Sequence, residues 1–100
     1  MTTSESIRLR LYTRPGCHLC EQMRRQVDEL LADRLRDWEE VDVDADPELA
    51  RRYGELLPVL FVNGRLFARV RLPRLAPRLR LLRAAEGGTV ENGSGVKLQP

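Results

Sequence analysis

The sequence predicts an α/β domain in the order βαβαββα, a mixed four-stranded sheet with helices on both faces. Three observations carry that prediction. An alternating segment at residues 7–12, a helical stripe after it and a second short strand make a βαβ unit, which implies two parallel strands joined by a right-handed crossover. Asn63-Gly64 lies between two apolar runs; both central residues of a type I′ turn need positive φ, so this pair signals a hairpin and an antiparallel end to the sheet. Finally, 100 residues are enough for one core and no second, so all the elements share it.

In residues 7–12, Ile7, Leu9 and Leu11 alternate with Arg8, Arg10 and Tyr12, and a period of two is that of a strand. This strand is expected to be central, so Arg8 and Arg10 must reach the polar rim of the sheet or pair with acids. Thr13-Arg14-Pro15-Gly16 is a turn by its Pro-Gly content. From about residue 18 to 36, Leu19, Met23, Val27, Leu30, Leu31 and Leu35 recur in steps of three and four, the stripe of an amphipathic helix. Residues 38–43 read as the second strand. Asp46-Pro47-Glu48 combines an oxygen-bearing N-cap, a proline at the first helical position and an acid in the first turn. Leu49 and Tyr53 fall on the inner face of that helix, and Gly54 is its expected stop. The apolar run 58–62 predicts a strand buried on both faces, with residues 65–70 as its hairpin partner. Leu75, Leu79 and Leu82 have helical spacing interrupted by Pro73 and Pro77, which places the last helix from about Pro77 to Ala85. The domain thus spans residues 1–85, and the Gly-, Ser- and Asn-containing stretch 86–100 is expected to be a flexible tail.

Net charge is +2, but the charges are unevenly placed. Acids dominate between residues 28 and 55. Between residues 56 and 85 there is none, while Arg65, Arg69, Arg71, Arg74, Arg78, Arg80 and Arg83 all fall there. Such asymmetry either marks an anionic partner or sets two halves facing each other across one small fold. No nucleic-acid-binding motif accompanies the arginines, so the second reading is preferred and nucleic acid is not expected as a partner. No apolar run approaches the length of a membrane span, and residues 1–6 are polar with no apolar signal stretch behind them. A soluble, cytoplasmic monomer is expected.

The two cysteines, Cys17 and Cys20, carry the chemistry. As a staple the pair would be weak: closing a four-residue loop restricts the unfolded chain by only about 2 kcal/mol, against about 3 kcal/mol for a 15-residue loop. Tetrahedral zinc wants four ligands, and the sole histidine, His18, sits between the two cysteines rather than in a second pair. Redox chemistry suits the spacing better. The thiolate is the reactive form, and Cys-x-x-Cys pairs at helix N-termini lower an ordinary cysteine pKa of about 8.5 to about 3.5–7.5. Cys17 lies where the helix is about to begin, facing unsatisfied N–H groups and the positive end of the dipole. Cys20 follows one turn later on the same face. Position therefore assigns attack on a disulfide to Cys17 and resolution of the mixed disulfide to Cys20. Arg14 and His18 add positive charge near the sulfur; alternatively His18 is a solvent-exposed spacer.

The segments Leu11-Tyr12-Thr13-Arg14-Pro15-Gly16-Cys17-His18-Leu19-Cys20, Asp42-Val43-Asp44 and Leu57-Pro58-Val59-Leu60-Phe61-Val62-Asn63-Gly64 together resemble the glutaredoxin branch of the thioredoxin superfamily. They are similar in particular to its small bacterial glutaredoxin-like members, over residues 7–85. The resemblance implies a thioredoxin-like fold, with Cys17 as the nucleophile and Cys20 as the resolving thiol of an electron-transferring dithiol. It implies that Pro58 is the family's cis-proline beside the dithiol, that the Leu57 backbone offers hydrogen bonds to a bound peptide or glutathione, and that Arg14 approaches a glutathione carboxylate. Glutaredoxins usually carry a Gly-Gly pair and an Asp after the last strand, which hold the γ-glutamyl end of glutathione. Here the stretch is Phe67-Ala68-Arg69-Val70-Arg71, with neither. No bound cofactor is therefore expected, and glutathione as a reductant stays open.

The function that results is a thiol–disulfide oxidoreductase acting on protein or small-thiol disulfides. Two alternatives stand beside it. One is a non-catalytic, redox-responsive binding module, suggested by the arginines of residues 65–83. The other is iron–sulfur or metal handling through the dithiol, which needs a second chain or exogenous thiols because one chain cannot supply four thiolates.

Overall fold

The computed structural model describes residues 6–86. They form β1 (Ile7–Thr13), α1 (His18–Leu30), β2 (Arg36–Asp42), a 3₁₀ turn (Val43–Ala45), α2 (Pro47–Tyr53), β3 (Val59–Val62), β4 (Arg65–Arg69) and α3 (Pro77–Glu86). The expected order is the observed one. The sheet runs β2-β1-β3-β4, with β1 and β2 parallel and the β1/β3 and β3/β4 pairs antiparallel. The expected tail, apart from Glu86 at the end of α3, lies outside the described residues.

The core follows from the period-two pattern of β1. Ile7, Leu9 and Leu11 join Leu60, Val62 and Ala68 on one face of the sheet, where Met23, Val27 and Leu31 of the α1 segment and Leu81 of α3 cover them. Full burial of each large aliphatic side chain stabilises the fold by about 1.5–3 kcal/mol. In α3 the fully buried residue is Leu81, whereas Leu75 and Leu79 of the expected stripe are exposed. The helix begins at Pro77, so Leu75 precedes it and only Leu82 of that stripe packs at the core margin.

The first helix is shorter than its apolar stripe. It ends at Leu30, β2 begins at Arg36, and Leu35 is exposed. The seven-residue parallel ladder pairs Ile7 with Arg36 and Thr13 with Asp42, which pulls residues 36 onward into extended conformation. The orphaned carbonyls of the helix end find side-chain donors in place of helical N–H groups. Arg36 donates to Leu31 O at 3.1 Å and to Arg34 O at 3.0 Å, and Arg78 donates to Leu30 O. Arg36 also donates to Asp28 Oδ1 at 2.7 Å, and Trp38 Nε1 donates to the same oxygen at 2.8 Å. The Arg24 guanidinium lies 4.5 Å over the Trp38 ring. Burial by itself would raise the Asp28 carboxyl, but the hydrogen bonds from Arg36 and Trp38 and the nearby arginine charges outweigh it and hold its pKa below the usual value.

The second face of the sheet explains the arginines of a central strand. Tyr53 of α2 stacks on Tyr12 at 4.3 Å, and both meet Phe61 edge-on. This aromatic cluster closes only the end of the face from which β1 leads toward Cys17. Arg8 and Arg10 lie beyond it in solvent, and Arg10 pairs with Glu39 of the neighbouring strand at 2.9 Å.

The hairpin turn takes the expected form: Asn63 has φ +50° and Gly64 φ +84°. Asn63 also joins three elements. Its Oδ1 accepts the Arg8 N–H at 2.9 Å, and its Nδ2 donates to Ala85 O at 2.8 Å. Gly54 caps α2, but in right-handed conformation. Glycine is needed there for space, since a Cβ would sit 2.4 Å from Ala50 O and 3.3 Å from Arg14 Nη2.

Candidate active site

β1 ends at Thr13, and Pro15-Gly16, with Gly16 at φ +79°, turns the chain back into α1. Cys17 N–H donates to Arg14 O at 3.2 Å to close the turn. Cys17 is then the N-cap of α1, in extended conformation, and its sulfur accepts the Cys20 N–H at 3.1 Å. A sulfur here does what a Ser or Asp oxygen does at an ordinary N-cap. The two cysteines form a disulfide with Cα atoms 5.3 Å apart. Their environments differ: Cys17 is half-buried, and Cys20 is buried. Cys17 is partly open to solvent, whereas Cys20 is closed off from it.

The charges around the sulfur differ from those expected. The Arg14 guanidinium is occupied, donating to both oxygens of Asp44 at 3.2 and 2.9 Å and to Gly54 O at 3.3 Å. It fastens the turn before the dithiol to the 3₁₀ segment and the end of α2. His18 points into solvent with its side chain 95% exposed, 4.0 Å from Glu21. The depression that holds Cys17 is lined by Arg14 but also by Glu21, Glu40 and Asp42. The favourable polar contact at the Cys17 sulfur is the Cys20 N–H, at the N-terminus of α1.

The Leu57–Pro58 bond is cis, and Pro58 is buried. Tyr12 pairs with Val59 in the antiparallel ladder. The register therefore sets Pro58 level with Thr13, at the end of the sheet from which the dithiol turn leaves. Pro58 O accepts the Val70 N–H at 2.8 Å, and Arg71 N–H donates to Arg69 O at 2.7 Å. Val70 is thereby held at φ +69°, unusual for a β-branched residue. Among the described residues no group of three or more His, Cys, Asp or Glu side chains is arranged to hold a metal ion.

Of the residues singled out from sequence, Cys17, Cys20 and Arg14 belong to one turn and helix start, and Leu57-Pro58 stands at the same sheet end. His18 touches neither sulfur nor sheet. Asp44, Gly54 and Val70 were not legible as site residues. No local pattern pairs Asp44 with Arg14 thirty positions away. Val70 had an indirect signal, since it occupies the stretch where glutaredoxins place glycines, which permit positive φ.

A βαβ unit followed by an antiparallel hairpin, a dithiol capping the first helix and a cis-proline at the same sheet end define a thioredoxin-like protein. The chain belongs to the glutaredoxin-like domain family (DUF836), whose model matches residues 8–80. Among solved structures it is similar to protein Ne2328 from Nitrosomonas europaea, with 30% identity over 72% of this chain and 87% of that one and a TM-score of 0.63. It is also similar to the structural-genomics target protein XcR50 from X. campestris, with 33% identity over 77% of this chain and 96% of that one and a TM-score of 0.55. Comparison with curated proteins finds no match.

Proposed function

We propose that the protein is a dithiol–disulfide oxidoreductase of the reducing cytoplasm. One observation carries this reading: Cys17 caps α1 with its sulfur on the Cys20 N–H, half-open to solvent, while Cys20 is 1% exposed. In the reduced protein the Cys17 thiolate attacks one sulfur of a substrate disulfide. A Cys17–substrate disulfide forms, the substrate S–S bond breaks, and the other substrate sulfur leaves as a thiolate that takes a proton from water. The Cys20 thiol gives up its proton and attacks the Cys17 sulfur, releasing the second substrate thiol and leaving the Cys17–Cys20 disulfide. An external thiol or dithiol reductant returns two electrons and two protons to restart the cycle.

Several features support the assignment of roles. The helix end favours the anion at Cys17, and burial keeps Cys20 from competing for substrate. Leu57-Pro58 lies at the same end of the sheet as the dithiol turn, which supports a role for the Leu57 backbone in holding a bound segment. Val70 stands where glutaredoxins carry glycines, and the stretch has no acid to meet a ligand ammonium. This favours a protein disulfide over a tightly held glutathione.

The test is reduction of a mixed-disulfide substrate under a low-potential dithiol. Cys17→Ser should abolish turnover, whereas pre-reduced Cys20→Ser, given the substrate with no reductant present, should stop after one covalent adduct, seen as a mass increase equal to the substrate half. Turnover by Cys17→Ser, or a Cys20→Ser variant that forms no adduct, would defeat the proposal.

A further inference from the structure

Beside the dithiol, α1 and the segment joining β4 to α3 part to leave a groove of about 460 Å³. Its α1 wall begins at Leu19, the residue before Cys20, and continues through Gln22 and Gln26 to Glu29. At 1.5 Å per helical residue this is roughly 15 Å, the span of four or five extended residues. The opposite wall is the stretch from Val70 to Arg74. Leu19 is half exposed, at 51%, and offers an apolar surface next to the dithiol.

The charges of this groove are uncommitted. Arg10, Arg14, Arg24, Arg36, Arg51 and Arg78 each form an ion pair. Arg71 and Arg74 have no acidic partner among the described residues. The single acid in the lining, Glu29, stands in the last turn of α1, away from the dithiol end. The depression that holds Cys17 is lined instead by Glu21, Glu40 and Asp42. The depression that Cys17 itself lines thus carries three acids and one arginine, whereas the groove that begins at Leu19 carries two arginines and one acid. The left-handed turn at Val70, clamped by Pro58 O and the Arg69–Arg71 bond, brings Arg71 into the groove wall. Backbone held in such a conformation beside a reactive group is a common mark of a binding surface.

We propose that this groove docks the extended stretch of a partner protein that flanks its disulfide, and that it selects stretches carrying acidic residues beside an apolar one. The apolar side chain rests on Leu19 and Leu72, and the carboxylates face Arg71 and Arg74. The inference rests on the dithiol reading above and names the substrate class of that site.

Two measurements test it. In the first, the reduced Cys20→Ser protein meets short peptides bearing one cysteine capped as a pyridyl disulfide. Cys17 thiolate attacks the peptide sulfur, the protein–peptide disulfide forms, and pyridine-2-thione leaves with the electron pair and a proton, giving an absorbance trace. In the second, oxidised protein binds fluorescent peptides of the same sequences with Ser for Cys, read by anisotropy. Flanks containing Leu and two Asp should react faster and bind tighter than flanks with Lys for Asp by about five- to tenfold at low salt, the effect of two exposed charge contacts. The preference should vanish in R71Q/R74Q and at high salt. Equal behaviour of the two peptides, preference for the lysine peptide, or tighter binding of a single-stranded RNA oligomer would overturn the proposal. So would concentration-dependent self-association that blocks the peptide. If every peptide fails to react while anisotropy still favours the acidic one, the dithiol reading falls and the groove assignment is supported.

Discussion

Asn63 offers a measurable link between turn chemistry and the assembly of the domain. Its side chain accepts the Arg8 N–H at 2.9 Å, donates to Ala85 O at 2.8 Å, and its backbone sits at φ +50°. Asn63→Gly removes both hydrogen bonds but adopts that φ freely, so the loss is that of two bonds at about 1 kcal/mol each, about 2 kcal/mol. Asn63→Ala removes the same bonds and adds roughly 1 kcal/mol for an ordinary residue in left-handed conformation, about 3 kcal/mol in all. Urea unfolding followed by far-ultraviolet circular dichroism measures both, and the slopes should match the parent protein because the surface exposed on unfolding is unchanged. The ordering Ala worse than Gly worse than parent is the critical result. Losses below about 0.5 kcal/mol in both variants, small against the 5–15 kcal/mol of a typical domain, would refute the view that this side chain ties β1, the hairpin and α3 together. Variants equal to each other would refute the backbone part alone.

Gly54→Ala puts a Cβ 2.4 Å from Ala50 O and 3.3 Å from Arg14 Nη2, so it should lower stability by about 1–3 kcal/mol, measured by urea unfolding. Gly54→Ala should also loosen the turn before Cys17, read as faster hydrogen exchange of the Cys17 amide. Glu21→Gln removes a carboxylate from the depression around Cys17 and should speed its alkylation by iodoacetamide at neutral pH; a slower reaction would contradict the electrostatic picture. The Asp28 pKa is lowered in the folded state, so its carboxylate contributes stability that is present above the unfolded-state value of about 3.9 and lost as pH falls through the lower folded value. The urea midpoint should therefore drop on acidification below about pH 4, and Asp28→Asn should flatten that drop while lowering the midpoint at neutral pH.

Much of this molecule is readable from local pattern. The period of two in Ile7, Leu9 and Leu11, the cap Asp46-Pro47 and the Asn63-Gly64 turn each encode their own geometry, because the constraint lies within a few bonds of the residue that obeys it. The dithiol is of the same kind: the spacing of Cys17 and Cys20 places both on the first turn of α1, and the N-cap role of Cys17 follows from the turn before it. The end of α1 could not be read so. The apolar stripe continues to Leu35, but the ladder with β1 claims Arg36, and Arg36 and Arg78 satisfy the carbonyls that the helix abandons. Pairing across the sheet, rather than local propensity, ends that helix. The charge at the site was decided in the same way. Arg14 stands three residues before Cys17 in the chain, yet its guanidinium belongs to Asp44 and Gly54, while Glu21 of α1 and Glu40 and Asp42 of β2 line the depression that holds Cys17. Electrostatics depends on distance in space, and only the folded chain sets those distances. Sequence alone thus determined the fold class and the placement of the two cysteines at the start of α1; tertiary structure decided what surrounds them, and left Arg71 and Arg74 without an acidic partner among the described residues.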